Sequence, residues 1–280
     1  MRTVLRIIAS MRPLNAAIAM LASVTGSIVE MDSTYSCGTF LVILLSISTF
    51  MTFGGANVIN DINDRGIDQI NHPRRQISSG KLSEGKASAS FISLWTLSVI
   101  LAAFISFLII DPLPIIILTF AMLLDLSYEV YFKRRGFIGN LTIGLLTGMI
   151  FIYGASIFEP GPFVISLAVL AFLSTTSREI IKDVEDLEGE RSIRNTLPKR
   201  IGEARSLKIA FIFMMAAVSF SLLPPFFIGP DPIYVIFIAL ADIMLILGAI
   251  NSFNDPKRGH LMIKSGMLIA VLGFLFSSLF

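Results

Sequence analysis

Cysteine is all but absent. Cys37 stands alone in 280 residues, so no intramolecular disulfide can form and a thiolate metal site is excluded. Histidine occurs twice, as His72 and His260, too few for an imidazole metal centre. Charge is scarce as well: 15% of residues are charged and 54% hydrophobic, with a mean hydropathy of +0.79. Soluble domains are nearer a quarter charged, so this composition belongs to a polytopic membrane protein. A cleavable signal pattern is missing, because Arg12-Pro13 interrupts the early apolar residues and no small-residue cleavage site follows. There is no low-complexity tract or separate linker, and residues 1–280 are expected to form a single integral-membrane domain. The net charge of +2 says little by itself, and no nucleic-acid partner is expected.

Long apolar runs are what the sequence does have. A spanning helix needs about 20 mostly apolar residues, and nine stretches qualify: 14–29, 39–60, 87–110, 113–128, 138–157, 162–181, 207–223, 233–250 and 262–279. The expected fold class is therefore all-α, with nine transmembrane helices. With the N-terminus in the cytoplasm, all 22 Lys and Arg fall on the cytoplasmic side, the last of them (Lys257, Arg258, Lys264) in the eighth-to-ninth connector. The opposite side carries only Glu30, Asp32, Asp111, Glu159 and Asp231. By the positive-inside rule this places the N-terminus inside and the C-terminus outside. The longest polar stretches are 61–86 and 182–205. Short helices are expected in both, capping the cytoplasmic mouth of the bundle.

Those two stretches carry most of the chemistry. On a helix at about 100° per residue, Asp61, Asp64 and Asp68 fall within about 40° of Asn57, stacking an amide and three acids on one face. Arg74, Arg75 and Lys81 follow directly. The device repeats at Arg178–Arg191, where Glu179, Asp183, Asp186 and Glu190 lie within about 60° of one another and Lys182 is adjacent. Carboxylates crowded this closely repel unless cations sit among them, and hard oxygen ligands of this kind suit Mg²⁺, which leaves its other positions to water and phosphate oxygens. Two such helix ends suggest two metal ions holding a diphosphate. The bland reading, a solvated helix end whose acids pair with Arg65, Arg74 and Arg75, loses weight because the cluster occurs twice near membrane depth.

Other groups are less specific. SYEVYFKRRGFIGN (127–140) is either an interfacial anchor or a connection in which Lys133 reaches phosphate while Tyr128 and Tyr131 line a pocket. Pro13 is expected at a helix start on structural grounds alone, so only Arg12 and Asn15 invite a functional reading there, Asn15 facing the bundle. Asp125 and Asp242 are acids within apolar runs, each a functional hypothesis by default. A cation transporter would need acids at mid-depth in paired broken helices, whereas here they gather at one membrane face.

These residues resemble the UbiA superfamily of intramembrane prenyltransferases over essentially the whole chain. NDxxDxxxD stands as Asn60, Asp61, Asp64 and Asp68, preceded by Asn57. The NxPxRPIPSG continuation appears as NHPRRQISSG, keeping Arg75 but with Gln76 and Ser78 in place of its two later prolines. DxxDxxxD appears as Asp183, Asp186 and Glu190, and the RPxN start (Arg12, Asn15) and the Tyr–Lys–GN connection (Tyr128, Lys133, Gly139, Asn140) also match. The resemblance implies metal ligation by Asp61, Asp64, Asp68, Asp183, Asp186 and Glu190. It also implies a substrate site formed with Arg12, Asn15, Asn57, Arg75, Tyr128, Tyr131, Lys133, Asn140 and Lys182. Within the superfamily the motifs look most like the archaeal ether-lipid branch. That implies Mg²⁺, geranylgeranyl diphosphate as donor, the hydroxyl of geranylgeranylglyceryl phosphate as acceptor, and surrounding membrane lipids. An aromatic quinone precursor such as 4-hydroxybenzoate is the alternative acceptor. A phosphate-bearing acceptor would need a second cationic patch, for which Arg12, Lys199 and Arg200 are candidates.

Overall fold

The computed structural model describes residues 2–31, 38–188, 195–228 and 231–279, and among these the chain is helical, without strands. Its elements are α1 (Arg2–Ser10), α2 (Pro13–Val29), α3 (Gly38–Asn63), α4 (Arg65–Asn71), α5 (Glu84–Ile109), α6 (Leu113–Val130), α7 (Phe137–Ala155), α8 (Pro162–Glu185), α9 (Leu197–Ile201), α10 (Glu203–Phe220), α11 (Pro225–Ile228), α12 (Pro232–Asn251) and α13 (Pro256–Leu279). Among the described residues eight helices are long and apolar enough to cross a membrane, or nine if α1 and α2, bent by 55° at their junction, form one broken span. This is a multi-pass membrane protein. The short helices expected in the two polar connectors are present as α4 and α9.

The spanning helices close into a ring. Each packs on the next in the order α2, α3, α5, α6, α7, α8, α10, α12, α13, and α13 returns to α2. Cross-contacts of α2 with α7 and of α13 with α8 draw the ring inward. In lipid such contacts depend on close backbone approach, and small residues supply it. A Cβ on Gly26 would collide with the carbonyl oxygen of Phe151, and one on Gly154 with that of Ser23. Ser27 Oγ donates to Gly154 O at 2.6 Å across the same seam. Large apolar side chains such as Ile92, Phe107, Phe120 and Ile236 point outward and are exposed, as expected of a surface meant for hydrocarbon.

The first bend follows from the sequence. Pro13 fixes the start of α2 and cannot continue α1, and Arg12 turns the corner in the left-handed region, at φ 52° and ψ 65°. Asn57 Nδ2 then donates to Met11 O at 3.2 Å, fastening α3 to this corner.

Candidate active site

The first acidic motif lies where α3 gives way to α4. A single uninterrupted helix was expected over 57–68, but α3 stops at Asn63, with Asp64 at the junction and α4 beginning at Arg65. The i→i−4 hydrogen bonds nevertheless continue through the junction, from Asp64 N to Asn60 O at 2.9 Å and from Asp68 N to Asp64 O at 2.8 Å. Asp61 and Asp68 therefore keep a common face, and Arg75 touches both, Nη1 lying 3.3 Å from Asp61 Oδ1 and 2.6 Å from Asp68 Oδ2. The connector after α4 folds back far enough for this because Ile77 and Leu82 are buried with Met11, Val58 and Ala87. Arg12 Nη2 approaches the same Asp61 oxygen at 2.5 Å. Both Asp61 and Asp68 are only 3% exposed. Burial pushes the Asp68 carboxyl above its ordinary range, and the Arg75 guanidinium opposes that shift. Arg65 turns away to pair with Glu84.

A second wall comes from the connection between α6 and α7. Lys133, in a 3₁₀ turn at Phe132–Arg134, reaches Asp64 Oδ2 at 2.9 Å and Glu129 Oε2 at 2.8 Å. Asn60 and Asn63 donate to the two Glu129 oxygens at 2.7 and 3.2 Å, so Glu129 joins α3 to α6. Nothing in the motif spacing signalled this role for Glu129, which depends on how the two helices are rotated against each other. Across the site, Asn140 in the first turn of α7 donates to Asp183 Oδ2 at 2.9 Å, while its own Oδ1 is buried without a partner.

On α8, Glu179 is bracketed by Arg178 at 2.6 Å and Lys182 at 3.7 Å. That helix ends at Glu185, but Asp186 is still αR and its N–H reaches Lys182 O, so Asp183 and Asp186 keep their helical spacing as the chain passes into a 3₁₀ turn at Asp186–Glu188. Glu190 lies outside the described residues. His260, expected in a basic loop, is on α13, 3.1 Å from Glu185. Among the described residues no three carboxylate, imidazole or thiol groups converge as a ready metal cage. The first three acids are held instead by Arg12, Arg75 and Lys133.

The ring encloses a cavity of about 440 Å³. Of the residues singled out from sequence, Arg12, Asn15, Asn57, Tyr128 and Lys182 line it, as do Asp125 and Asp242. Asp125 Oδ2 is buried with no partner, and Asp242 accepts from Ser221 Oγ at 2.7 Å. Tyr131 does not line the pocket: as the residue that closes α6 it is 60% exposed and turned outward. Lys133 and Asn140 hold Asp64 and Asp183 rather than lining the cavity. Lys199 and Arg200, on α9, also lie outside its lining. The sequence had not singled out Lys264 or Arg178 as site residues, yet both line the cavity.

Apolar helices closed around a cavity, with acids and cations gathered at the ends of α3 and α8, make an intramembrane prenyltransferase. Residues 16–272 match the model of the UbiA prenyltransferase family, and the chain belongs to that family. Over 275 residues it is 33% identical to digeranylgeranylglyceryl phosphate synthase of Methanosphaera stadtmanae, covering 96% of this chain and 97% of that one. A solved structure of digeranylgeranylglyceryl phosphate synthase in membranes superposes with a TM-score of 0.78 at 28% identity, covering 99% of both chains. A UbiA homologue from Archaeoglobus fulgidus bound to GPP and Mg²⁺ shares the fold, with a TM-score of 0.74 at 19% identity over 98% of each chain.

Proposed function

We propose that this prenyltransferase transfers a geranylgeranyl group from its diphosphate to the free hydroxyl of geranylgeranylglyceryl phosphate, the reaction named for its archaeal relatives, with Mg²⁺ as cofactor. The observation that carries the reading is the division of the cavity. One end is rimmed by Arg12, Asn57, Asn60, Arg178, Glu179 and Lys182, while the wall beyond is formed largely by Ile, Leu, Met and Phe side chains. A diphosphate belongs at the first end and a prenyl chain along the second.

The donor set fits a hard divalent cation. Asp61, Asp64 and Asp68 on one side and Asp183 on the other offer carboxylate oxygens, and Asn140 Oδ1 is a buried acceptor with no partner. When bound, Mg²⁺ supplies neutralising charge for the diphosphate as the bond to the prenyl carbon breaks. Arg75, Lys133 and Lys182 add fixed positive charge around the leaving group. Until then Arg12, Arg75 and Lys133 keep the acids oriented and compensated. The acceptor oxygen bonds to C1 of the prenyl group, diphosphate leaves with the electron pair of the broken C–O bond, and the hydroxyl proton is released. Apolar side chains below the rim exclude the water that would quench a developing allylic cation.

The same reading puts the rim in the cytoplasm, because the sequence gathers every Lys and Arg on that side of the membrane. In a Cys37→Ser background, cysteines introduced at Ser79 and Asp111 should label from opposite sides of sealed vesicles, and labelling of both from one side would overturn this orientation.

The acceptor is tested with purified protein, Mg²⁺ and radiolabelled geranylgeranyl diphosphate, offering geranylgeranylglyceryl phosphate and 4-hydroxybenzoate in parallel. A digeranylgeranyl ether from the first acceptor alone is expected. Prenylated benzoate alone would overturn the acceptor while leaving the metal chemistry in place.

A further inference from the structure

Lys264 was counted with a polar connector, but it lies two turns inside α13, where its side chain lines the cavity. Its ammonium donates to Asn15 Oδ1 at 3.2 Å, a neutral partner, and among the described residues no carboxylate pairs with it. An ammonium set among apolar helices without a counter-charge is costly, and such residues mark ligand sites. The cations of the motifs are differently placed. Arg12, Arg75 and Lys133 are each in ion pairs with Asp61, Asp68, Asp64 or Glu129.

The neighbouring wall has the same character. Arg178 on α8 lines the cavity, gives Nη1 to Glu179 and leaves Nε buried with no partner. α8 packs on α13, His260, one turn before Lys264, lies 3.1 Å from Glu185 of α8, and Arg178 and Lys264 line the same cavity, so Arg178 is on the wall that faces this part of α13. The carboxylate on this wall, Glu179, is already taken by Arg178 and Lys182. The cavity thus holds a lysine paired only with an amide and an arginine with an unused donor.

We infer that Lys264, positioned by Asn15 and bordered by Arg178, is the subsite for a phosphomonoester on a prenylated glycerol, the acceptor's phosphate. The inference rests on the proposed acceptor and names what would recognise it. A lysine ammonium suits phosphate as a compact charge with three donors. Its place relative to the reacting centre also fits. Asn15, which holds Lys264, follows Arg12, which holds Asp61, by three residues, and its backbone N–H donates to Arg12 O at 2.9 Å, so the two are close neighbours. The phosphate and the free hydroxyl of a glycerol phosphate are only a few bonds apart, a comparable reach. With its phosphate at Lys264, the acceptor therefore presents its hydroxyl toward the Asp61 end of the site. Of the three candidates read from the sequence for this patch, Lys199 and Arg200 do not line the cavity, and Arg12 lines it but is paired with Asp61.

The test compares binding of geranylgeranylglyceryl phosphate and of its dephosphorylated alcohol to the full-length protein in detergent, for wild type, Lys264→Met and Lys264→Arg. Turnover and donor KM are measured in parallel. Wild type should bind the phosphorylated acceptor about ten- to a hundredfold more tightly than the alcohol, the range of a charged hydrogen bond. K264M should lose that preference and raise acceptor KM with donor KM unchanged, and K264R should restore most of it. Equal wild-type binding of the two acceptors would overturn the subsite without recourse to any variant, and so would a K264M whose preference is intact. If wild type turns over the phosphorylated lipid but binds both acceptors equally, the subsite falls and the proposed reaction stands. If it prenylates only 4-hydroxybenzoate and shows no preference for the phosphate, both fall.

Discussion

Arg12 donates to Asp61 at 2.5 Å from a residue whose own backbone is left-handed, at φ 52°. One residue thus makes the bend between α1 and α2 and holds the first acid of the site. The two roles can be separated, because glycine adopts this conformation without the penalty of about 1–2 kcal/mol that other residues carry. Arg12→Gly and Arg12→Ala should lose activity to the same extent, both lacking the guanidinium. R12G should be the more stable by about 1 kcal/mol, read as thermal unfolding in detergent. Equal stability of the two variants would show that the backbone strain is relieved elsewhere.

Asp61→Ala and Asp183→Ala should each lower kcat by at least about a hundredfold, the scale of removing one preorganised electrostatic group. Both proteins should still insert into membranes and elute as wild type, since neither side chain belongs to the apolar contacts between spans. Asp61 meets Arg12 and Arg75, whereas Asp183 meets Asn140. D61A therefore leaves Arg12 without its carboxylate while Arg75 keeps Asp68, and that variant should gain stability from added salt. Retained turnover in either variant would refute the assignment of the two acidic sets to one diphosphate.

Lys133 sits between two carboxylates, and its side chain is only 6% exposed. Removing one partner of a buried ion pair leaves an uncompensated charge and costs about 3–5 kcal/mol. Lys133→Met should be destabilised on that scale, because both Glu129 and Asp64 lose the ammonium between them. Adding Glu129→Gln should recover about half of the loss, and a double-mutant cycle in thermal unfolding would measure it. If Lys133 acts only on substrate, K133M will unfold like wild type and lose activity alone.

The architecture was legible because its signals are local. Apolar runs of spanning length, proline and glycine breaks, and acids spaced on a helical face gave the bundle and the ends of α3 and α8 as the candidate site. Resemblance then attached the Asn15, Arg75 and Asn140 positions to it. What could not be read was how each helix is turned about its axis. Tyr128 and Tyr131 are three residues apart, yet one lines the cavity and the other faces out. Glu129 was passed over because its partners Asn60 and Asn63 lie more than 60 residues away. Lys264 was assigned to a loop because the apolar run that follows it masks the polar first turns of α13. Charge near the end of a hydrophobic run does not mark the helix end when that charge points into a cavity.

The crossing of α2 and α7 offers a test of the scaffold apart from the chemistry. Gly26 and Gly154 meet the partner backbone at Phe151 and Ser23, so close that neither site has room for a methyl group, and the obstacle is main chain that cannot rotate aside. Phe151 and Ala22 are buried in the cluster that also holds Leu167 and Phe274, and all four help line the cavity or pack beside it. Separating α2 from α7 would therefore widen the cavity as well as loosen the ring. Gly26→Ala and Gly154→Ala should each cost about 1–3 kcal/mol by overpacking, seen as a lower unfolding temperature in detergent. Both should weaken retention of the prenyl chain, raising donor KM more than they lower kcat. Gly85→Ala is the control, since a Cβ there meets nothing within 4 Å. Unchanged stability in both seam variants would mean that α2 and α7 can slide past each other, and that the tight crossing is not what sets the cavity.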